Sequence, residues 1–391
     1  MSQKPLAIYI HWPFCLSKCP YCDFNSHVRD KIDENIWKDA LIKDLKSFQK
    51  YTENFEVSSI FFGGGTPSLM PPHIVSALLI EISDFYNISP SVEITLEANP
   101  NSVEVENFQY LAQAGINRLS LGVQSLNEKN LAFLGRTHSL KDALKAIEIS
   151  DIFFKKRSFD LMYTLPNQSL ENWQNELENA LKISGGHLSL YQLTIEQGTP
   201  FYLASHRGDF VMPSEKSSDQ FFQWTHTHMK TSGYPAYEVS NFAKPGQECR
   251  HNKHYWYYDD YIGIGPGAHS RLTIQGKKHA LRRHRFPEQW LKMMENYTGG
   301  LYKDDLIEGH RLVEEYLMMR MRLVEGFSLE DFRDKTGQDL FECIPRKHFD
   351  ALQKEGLLTV DSKITPTFDG LKKLNSLLAF LLKKQETILI K

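Results

Sequence analysis

The sequence predicts an α/β fold: a parallel sheet curled into a partial (βα)6 barrel, with a C-terminal helical domain of winged-helix type. Three observations predict it. Six apolar, strand-like runs alternate with helical stretches between residues 6 and 193, which calls for parallel strands joined by right-handed crossovers. Polar residues stand at or just beyond the C-terminal end of each successive strand, where βα barrels gather their sites. A doubly wound sheet would draw a site only from strands beside its switch point. Beyond residue 300, three helical stretches are followed by a short two-stranded wing and a closing helix.

The elements follow in order. Leu6-Ala7-Ile8-Tyr9-Ile10 alternates as a strand and runs directly into three cysteines. Asp33 to Tyr51 has helical spacing, with Ile36, Trp37, Ala40, Leu41 and Leu45 on one face. Val57 to Phe62 is the second strand and opens into Gly63-Gly64-Gly65-Thr66-Pro67. A helix from Pro71 to Tyr86 starts on proline, where a missing N–H costs little. Val92 to Leu96 is the third strand, ending at Glu97-Ala98-Asn99-Pro100, and the helix after it stops at Gly115. Arg118 to Val123, followed by Gln124, is the fourth strand, and a helix covers Leu140 to Ile149. Arg157 to Met162 is the fifth strand, Leu170 to Ile183 a helix, and His187 to Leu193, followed by Thr194, the sixth strand. Another helix runs from Ser214 to Ser232, and Gly233 to Leu301 reads as less regular. Helices are expected over Asp305 to Leu323, Ser328 to Thr336 and Pro345 to Glu355, then a hairpin and a helix from Asp369.

At 391 residues the length suits two or three domains. They divide as a barrel over 1–210, a barrel extension over 211–300 and a C-terminal domain over 301–391, with Gly299-Gly300 as the boundary. The composition is ordinary, 41% apolar and 24% charged, and the net charge is −3, so nothing points to a nucleic-acid surface. The first apolar run is too short for a signal peptide, and no stretch is apolar enough to span a bilayer. Five cysteines, three of them clustered, make no disulfide framework and read as reduced thiols in a cytoplasmic protein.

Cys15, Cys19 and Cys22 are spaced C-x3-C-x2-C. Three thiolates this close can hold one soft metal centre. A structural zinc site needs a fourth protein ligand, so a zinc knuckle completed by a distant residue stays open. A 4Fe–4S cube held by three cysteines leaves one iron free for an outside ligand. Trp12, Phe14, Tyr21 and Phe24 shield the loop, which suits a redox cluster. The glycine loop lets backbone approach a ligand without Cβ interference. Glu97, Gln124, Arg136 and Asp160 add two carboxylates, an amide and a guanidinium at the same barrel end.

A cysteine triad after the first strand and Gly-Gly-Gly-Thr-Pro after the second resemble the radical S-adenosylmethionine superfamily. The resemblance implies a 4Fe–4S cluster on Cys15, Cys19 and Cys22. It implies S-adenosylmethionine on the open iron, cleaved by one electron to a 5′-deoxyadenosyl radical. It assigns Tyr9, Gly64 and Glu97 to that S-adenosylmethionine. It assigns Tyr21, Gly65, Thr66, Gln124, Arg136 and Asp160 to positions that contact a second molecule in the oxygen-independent coproporphyrinogen dehydrogenase branch.

A narrower resemblance lies further along. His251-Asn252-Lys253-His254-Tyr255-Trp256 is similar to the H-N-x-x-Y-W motif of the HemW-type haem chaperones. The dehydrogenases carry a fourth cysteine two residues after the third, where this chain has Phe24. The chaperone branch is therefore the expectation, with coproporphyrinogen III dehydrogenase as the alternative. On the residues alone, His251 among Tyr255, Trp256, Tyr257 and Tyr258 is either an axial haem ligand beside flat rings or a hydrogen-bonded histidine in an aromatic loop. Cys249 is a second candidate ligand or a buried thiol. The resemblance implies haem as cargo, an acceptor protein of the membrane haem-protein kind, a flavodoxin- or ferredoxin-type electron donor and a homodimer. It implies a cytoplasmic location that extends to the periphery of the inner membrane.

Overall fold

The computed structural model describes residues 3–29, 31–296 and 300–383. Its centre is six parallel strands in chain order: Lys4–Trp12, Phe55–Gly64, Asn87–Ala98, Arg118–Gln124, Lys156–Tyr163 and His187–Gln192. Each is one of the six strands expected; the first five are extended by one to five residues at their ends, and the sixth stops one residue short, at Gln192. The two faces differ. Leu6, Ile8, Ile10, Ile60, Phe62, Leu96, Leu121, Phe159 and Leu190 point into one apolar core under the helices. The other face carries Tyr9, Ser59, Phe61, Glu93, Ser120, Ser158 and Ser189. Strand alternation alone produces this division.

The helices form where caps and stripes coincide. Glu34–Lys46 starts at Asp33, whose carboxylate accepts from the Ile36 N–H, and buries Trp37, Leu41 and Leu45. Pro72–Phe85 starts on proline and buries Ile74, Val75, Leu78 and Ile82. Leu140–Phe153 opens on a Ser139/Asp142 capping box, and Leu170–Lys182 on Ser169.

Three findings differ from the sequence reading. First, the region after residue 233 is not irregular. Among the described residues the sheet has eleven strands. Asn241–Ala243 adds antiparallel beyond the sixth strand, while Asp260–Ile264 adds parallel to the first. His269–Ile274, Lys277–Arg283 and Leu301–Ile307 continue antiparallel from there. The two edge strands are not paired with each other, so the barrel stays open. Second, the chain is still in this sheet after Gly300, and residues 305–307 are strand, not helix; the helix is His310–Arg320. Leu301–Ile307 is a wet edge strand whose charges pair across it, His279 with Asp304 and Arg282 with Asp305, so it shows no apolar period. Third, the Cys249–Tyr258 segment is not a loop: Arg250–Trp256 is a helix.

The C-terminal domain has its own core of Val313, Tyr316, Leu317, Phe327, Phe332, Phe349 and Leu377. The wing pairs Leu358–Val360 with Ile364–Pro366, as expected. Tyr258, just past the helix Arg250–Trp256, is part of this second core and ties the two bodies together.

Candidate functional site

The cysteine loop is closed at its base. Phe14–Cys15 pairs with His27–Val28, and the His27 N–H donates to the Pro13 carbonyl at 2.7 Å. The glycine loop packs directly on it. The Gly65 and Thr66 N–H groups donate to the carbonyls of Trp12 and Phe14. A Cβ at Gly65 would come within 2.7 Å of the Phe14 carbonyl oxygen, and one at Gly64, whose φ is +116°, within 2.6 Å of the His11 ring. Both glycines are thus required by close approach and, at Gly64, by a left-handed backbone. The two motifs form one rigid unit.

Cys15, Cys19 and Cys22 are free thiols, each half-buried. Among the described residues no three His, Cys, Asp or Glu side chains gather as they would round a single ion. Two of the sulfurs have donors aimed at them. Thr66 donates to Cys15 Sγ at 3.3 Å, and Arg136 Nη1 to Cys19 Sγ at 3.2 Å. Three thiols on one loop with polar donors on their sulfurs fit an iron–sulfur cluster, whose potential such donors tune.

Arg136 is half-buried and works as a clamp. It also donates to the Gly122 carbonyl at 2.9 Å and to the Asn99 amide oxygen, and it meets the Tyr21 hydroxyl. Burial pushes that phenol well up, while Arg136 pulls it back. Asn99 in turn donates to Thr66 Oγ1 at 3.1 Å. Tyr21, Thr66 and Arg136 therefore surround the cysteine loop. Gln124 ends the fourth strand in the left-handed region at φ 70°, a cost for a residue with a Cβ.

Glu97 and Asp160 face each other deeper in the barrel mouth. The Gly64 N–H donates to Glu97 at 3.3 Å. Burial, helped by the charge of Asp160, pushes the Glu97 carboxyl up to about 8. Burial raises Asp160 to about 6, against a hydrogen bond from Ser189 and the charge of Arg136. Two half-buried carboxylates with displaced titrations make a receptor for a cationic or hydroxyl-rich ligand. The sixth strand contributes Ser189; Thr194 is exposed and bonds to the Gln192 carbonyl. Tyr9 shares a 3.0 Å hydrogen bond with His11 Nδ1, and His11 Nε2 reaches the Asn25 carbonyl at 2.9 Å. Sequence reasoning missed His11, Asn25 and Asn99. The signal for Asn99 was its place two residues after Glu97 at a strand end.

The helix Arg250–Trp256 lies against the inner face of the sheet. Glu93 caps it, accepting from the N–H of Arg250 at 2.8 Å and of His251 at 3.4 Å. His251 Nδ1 sits 2.9 Å from Ser59 Oγ, and Nε2 2.8 Å from the Tyr255 hydroxyl. Its ring stacks on Phe61 at 4.9 Å, and Phe61 stacks on Tyr9 at 6.3 Å. The residue is 1% exposed, and burial holds the imidazole neutral. Both ring nitrogens are bonded within the barrel, to Ser59 and Tyr255. Cys249 is a buried thiol pushed up to about 12, which makes it unreactive. Tyr255, on the same face of the helix as His251, and Trp256 also line a cavity of about 530 Å³.

The family model described as the radical SAM superfamily matches residues 9–180, and the HemN C-terminal domain model matches 308–367. The chain is 37% identical over 368 residues to "Heme chaperone HemW" of Escherichia coli strain K12, covering 92% of this chain and 93% of that one. The chain belongs to the HemW family of radical SAM proteins. It is also 36% identical over 386 residues to "Radical S-adenosyl methionine domain-containing protein 1, mitochondrial" of Mus musculus, covering 96% and 87%. The fold matches the solved coproporphyrinogen III oxidase HemN of Escherichia coli with a TM-score of 0.80 at 21% identity, over 97% of this chain and 91% of that one. Membership of the radical SAM superfamily implies a 4Fe–4S cluster and S-adenosylmethionine. The donor set at Cys15, Cys19 and Cys22 and the carboxylate pair fit both. Among the described residues, no helix is long and apolar enough to cross a membrane.

Proposed function

We propose that this protein binds haem and passes it to an acceptor protein, on a scaffold that holds a 4Fe–4S cluster and S-adenosylmethionine. One observation carries the reading. Relatives that share more than a third of its residues over nearly their whole length bear the name heme chaperone, whereas the solved oxidase shares the fold at 21% identity. Phe24 supports it: where the oxidative branch would place a cysteine, this chain exposes a phenyl ring, 62% accessible.

Cys15, Cys19 and Cys22 hold the cluster, with Thr66 and Arg136 donating to its sulfur ligands. Tyr9, Gly64 and Glu97 hold S-adenosylmethionine; Tyr21, Gly65, Gln124 and Asp160 complete the mouth. When bound, the cluster supplies one electron at a time. A flavodoxin- or ferredoxin-type protein feeds it, and the haem acceptor is a membrane haem protein met at the cytoplasmic face of the inner membrane. The working form is a homodimer.

The test uses anaerobically reconstituted, reduced protein. With S-adenosylmethionine and coproporphyrinogen III it should give no protoporphyrinogen, and haem-loaded protein should transfer its haem to an apo haem protein. Multiple turnovers to protoporphyrinogen would make the dehydrogenase the correct reading.

A further inference from the structure

We propose that two copies of this chain pair through the open sheet edge Leu301–Ile307, antiparallel about a two-fold axis at Asp304, so that one sheet runs through both. The proposal rests on the homodimer reading and names its interface.

The hydrogen-bond pattern shows which backbone groups are free. In Lys277–Arg283 the N–H of Arg283 donates to the Ala268 carbonyl at 2.9 Å, away from the edge strand. Antiparallel bonding alternates, so Arg282 and Ala280 turn toward the edge and bond to Lys303 and Asp305, their partners in register. Asp304 and Leu306 therefore point their N–H and C=O groups away from the sheet. Among the described residues no strand or loop bonds to those groups. Tyr302, at a register shift opposite Arg282 and Arg283, is 63% exposed, and Leu306 is 37% exposed. The other edge differs: Asn241–Ala243 is short and buried, and Phe242 already bridges to Ala236.

An interface between two copies must match itself. Turned end for end about Asp304, the run Tyr302-Lys303-Asp304-Asp305-Leu306 does so. Tyr302 falls opposite the partner subunit's Leu306, and Lys303 opposite the partner subunit's Asp305. The backbones of Lys303 and Asp305 bond inward, so across the new junction these residues form the narrow pair, with Cα atoms about 4.5 Å apart. Opposite charges placed there stabilise a strand pair. Lys303 and Asp305 already meet at 2.8 Å within one strand, and Arg282 backs Asp305 at 3.4 Å. Two such pairs side by side make a square of alternating charge, so neither pair has to break. Like charges meet only on the axis, at Asp304. That is the wide pair, with Cα atoms about 5.5 Å apart, and His279 lies 2.8 Å from the Asp304 carboxylate. Moving the axis by one residue would bring two copies of Lys303, or two of Asp305, together in the narrow pair. The charges that guard this edge against unspecific pairing thus admit one register. A single strand edge is smaller than the ~1,200–2,000 Å² of a standard interface, so the dimer should dissociate on dilution.

The experiment is sedimentation of the full-length, cluster-loaded chain over a series of concentrations. The parent should pass from monomer to dimer as concentration rises. Lys303→Asp and Asp305→Lys, each alone, should weaken the dimer at least tenfold. Mixed in equal amounts, these two variants should form a heterodimer tighter than either homodimer, because each then meets the opposite charge; misfolded variants would show no such rescue. Asp304→Asn removes the like-charge contact and should tighten the dimer. Parent affinity in both charge variants, or no gain on mixing them, overturns the interface while the homodimer reading stands. A parent that stays monomeric throughout overturns the homodimer reading and the interface with it.

Discussion

At the scale of single residues, the clearest physical signature is Glu97. Its side chain is half-buried, and its carboxyl is bonded to one N–H and pushed up to about 8, chiefly by burial. Such a group binds more protons folded than unfolded between about pH 4.3 and 8. Stability of the ligand-free protein should therefore fall as pH rises through that window. A bound ammonium or hydroxyl-rich ligand would favour the ionised form, so binding S-adenosylmethionine should release a proton near pH 7 and tighten as pH rises. Calorimetry in buffers of different ionisation enthalpy measures the release. Glu97→Gln should abolish it and weaken binding at least tenfold, and a proton count equal to the parent's would remove Glu97 from the site. The three cysteines, the glycine loop, Glu97 and Asp160 were legible in the sequence because each follows a strand at the same barrel end. His11, Asn25 and Asn99 were not, because their roles lie in whom they touch. His11 joins Tyr9 to Asn25, and Asn99 joins Thr66 to Arg136. No local spacing encodes such partnerships.

At the scale of elements, the six parallel strands and their helices could be read from alternation, caps and glycines. The helix Arg250–Trp256 could not. Apart from Arg250 and Lys253 its residues are middling helix formers, and tertiary contacts hold it. Glu93 accepts from its first two N–H groups and lies 3.7 Å from Arg118 and 3.6 Å from Lys156, with Glu93 and Arg118 almost fully buried. Glu93 thus joins the third strand to the motif helix, 157 residues away in sequence. Glu93→Ala would leave a buried guanidinium unpaired and two amides without an acceptor. The expected cost is about 3 kcal/mol, read by urea unfolding. Faster hydrogen exchange should appear at residues 250–256 before the sheet loosens. A loss below about 1 kcal/mol, with exchange unchanged, would mean that packing against Ser59 and Phe61 alone holds the helix.

At the scale of the whole molecule, the fold is shared with an oxidase over nearly its full length, so architecture alone does not select the function. What differs must lie in side chains and in how the two bodies meet. The sequence placed their boundary at Gly299-Gly300, yet the chain completes one more edge strand before the second body begins. The junction itself is polar and specific. Glu315 accepts from Arg271 at 2.8 Å and from the Tyr258 hydroxyl at 3.3 Å, while Lys335 pairs with Asp259. Tyr258 sits at φ 58°, a strained conformation that its place in the second core must offset. Glu315→Ala leaves Arg271, about four-fifths buried, facing no carboxylate. A hydrogen-bonded charge of this kind is worth about 2 kcal/mol. The loss should fall on the junction rather than on either core, so hydrogen exchange should quicken in His310–Arg320 and at Tyr258 while Lys4–Trp12 keeps its protection. Exchange equal to the parent's would show that the apolar contact of Tyr258 holds the domains together unaided.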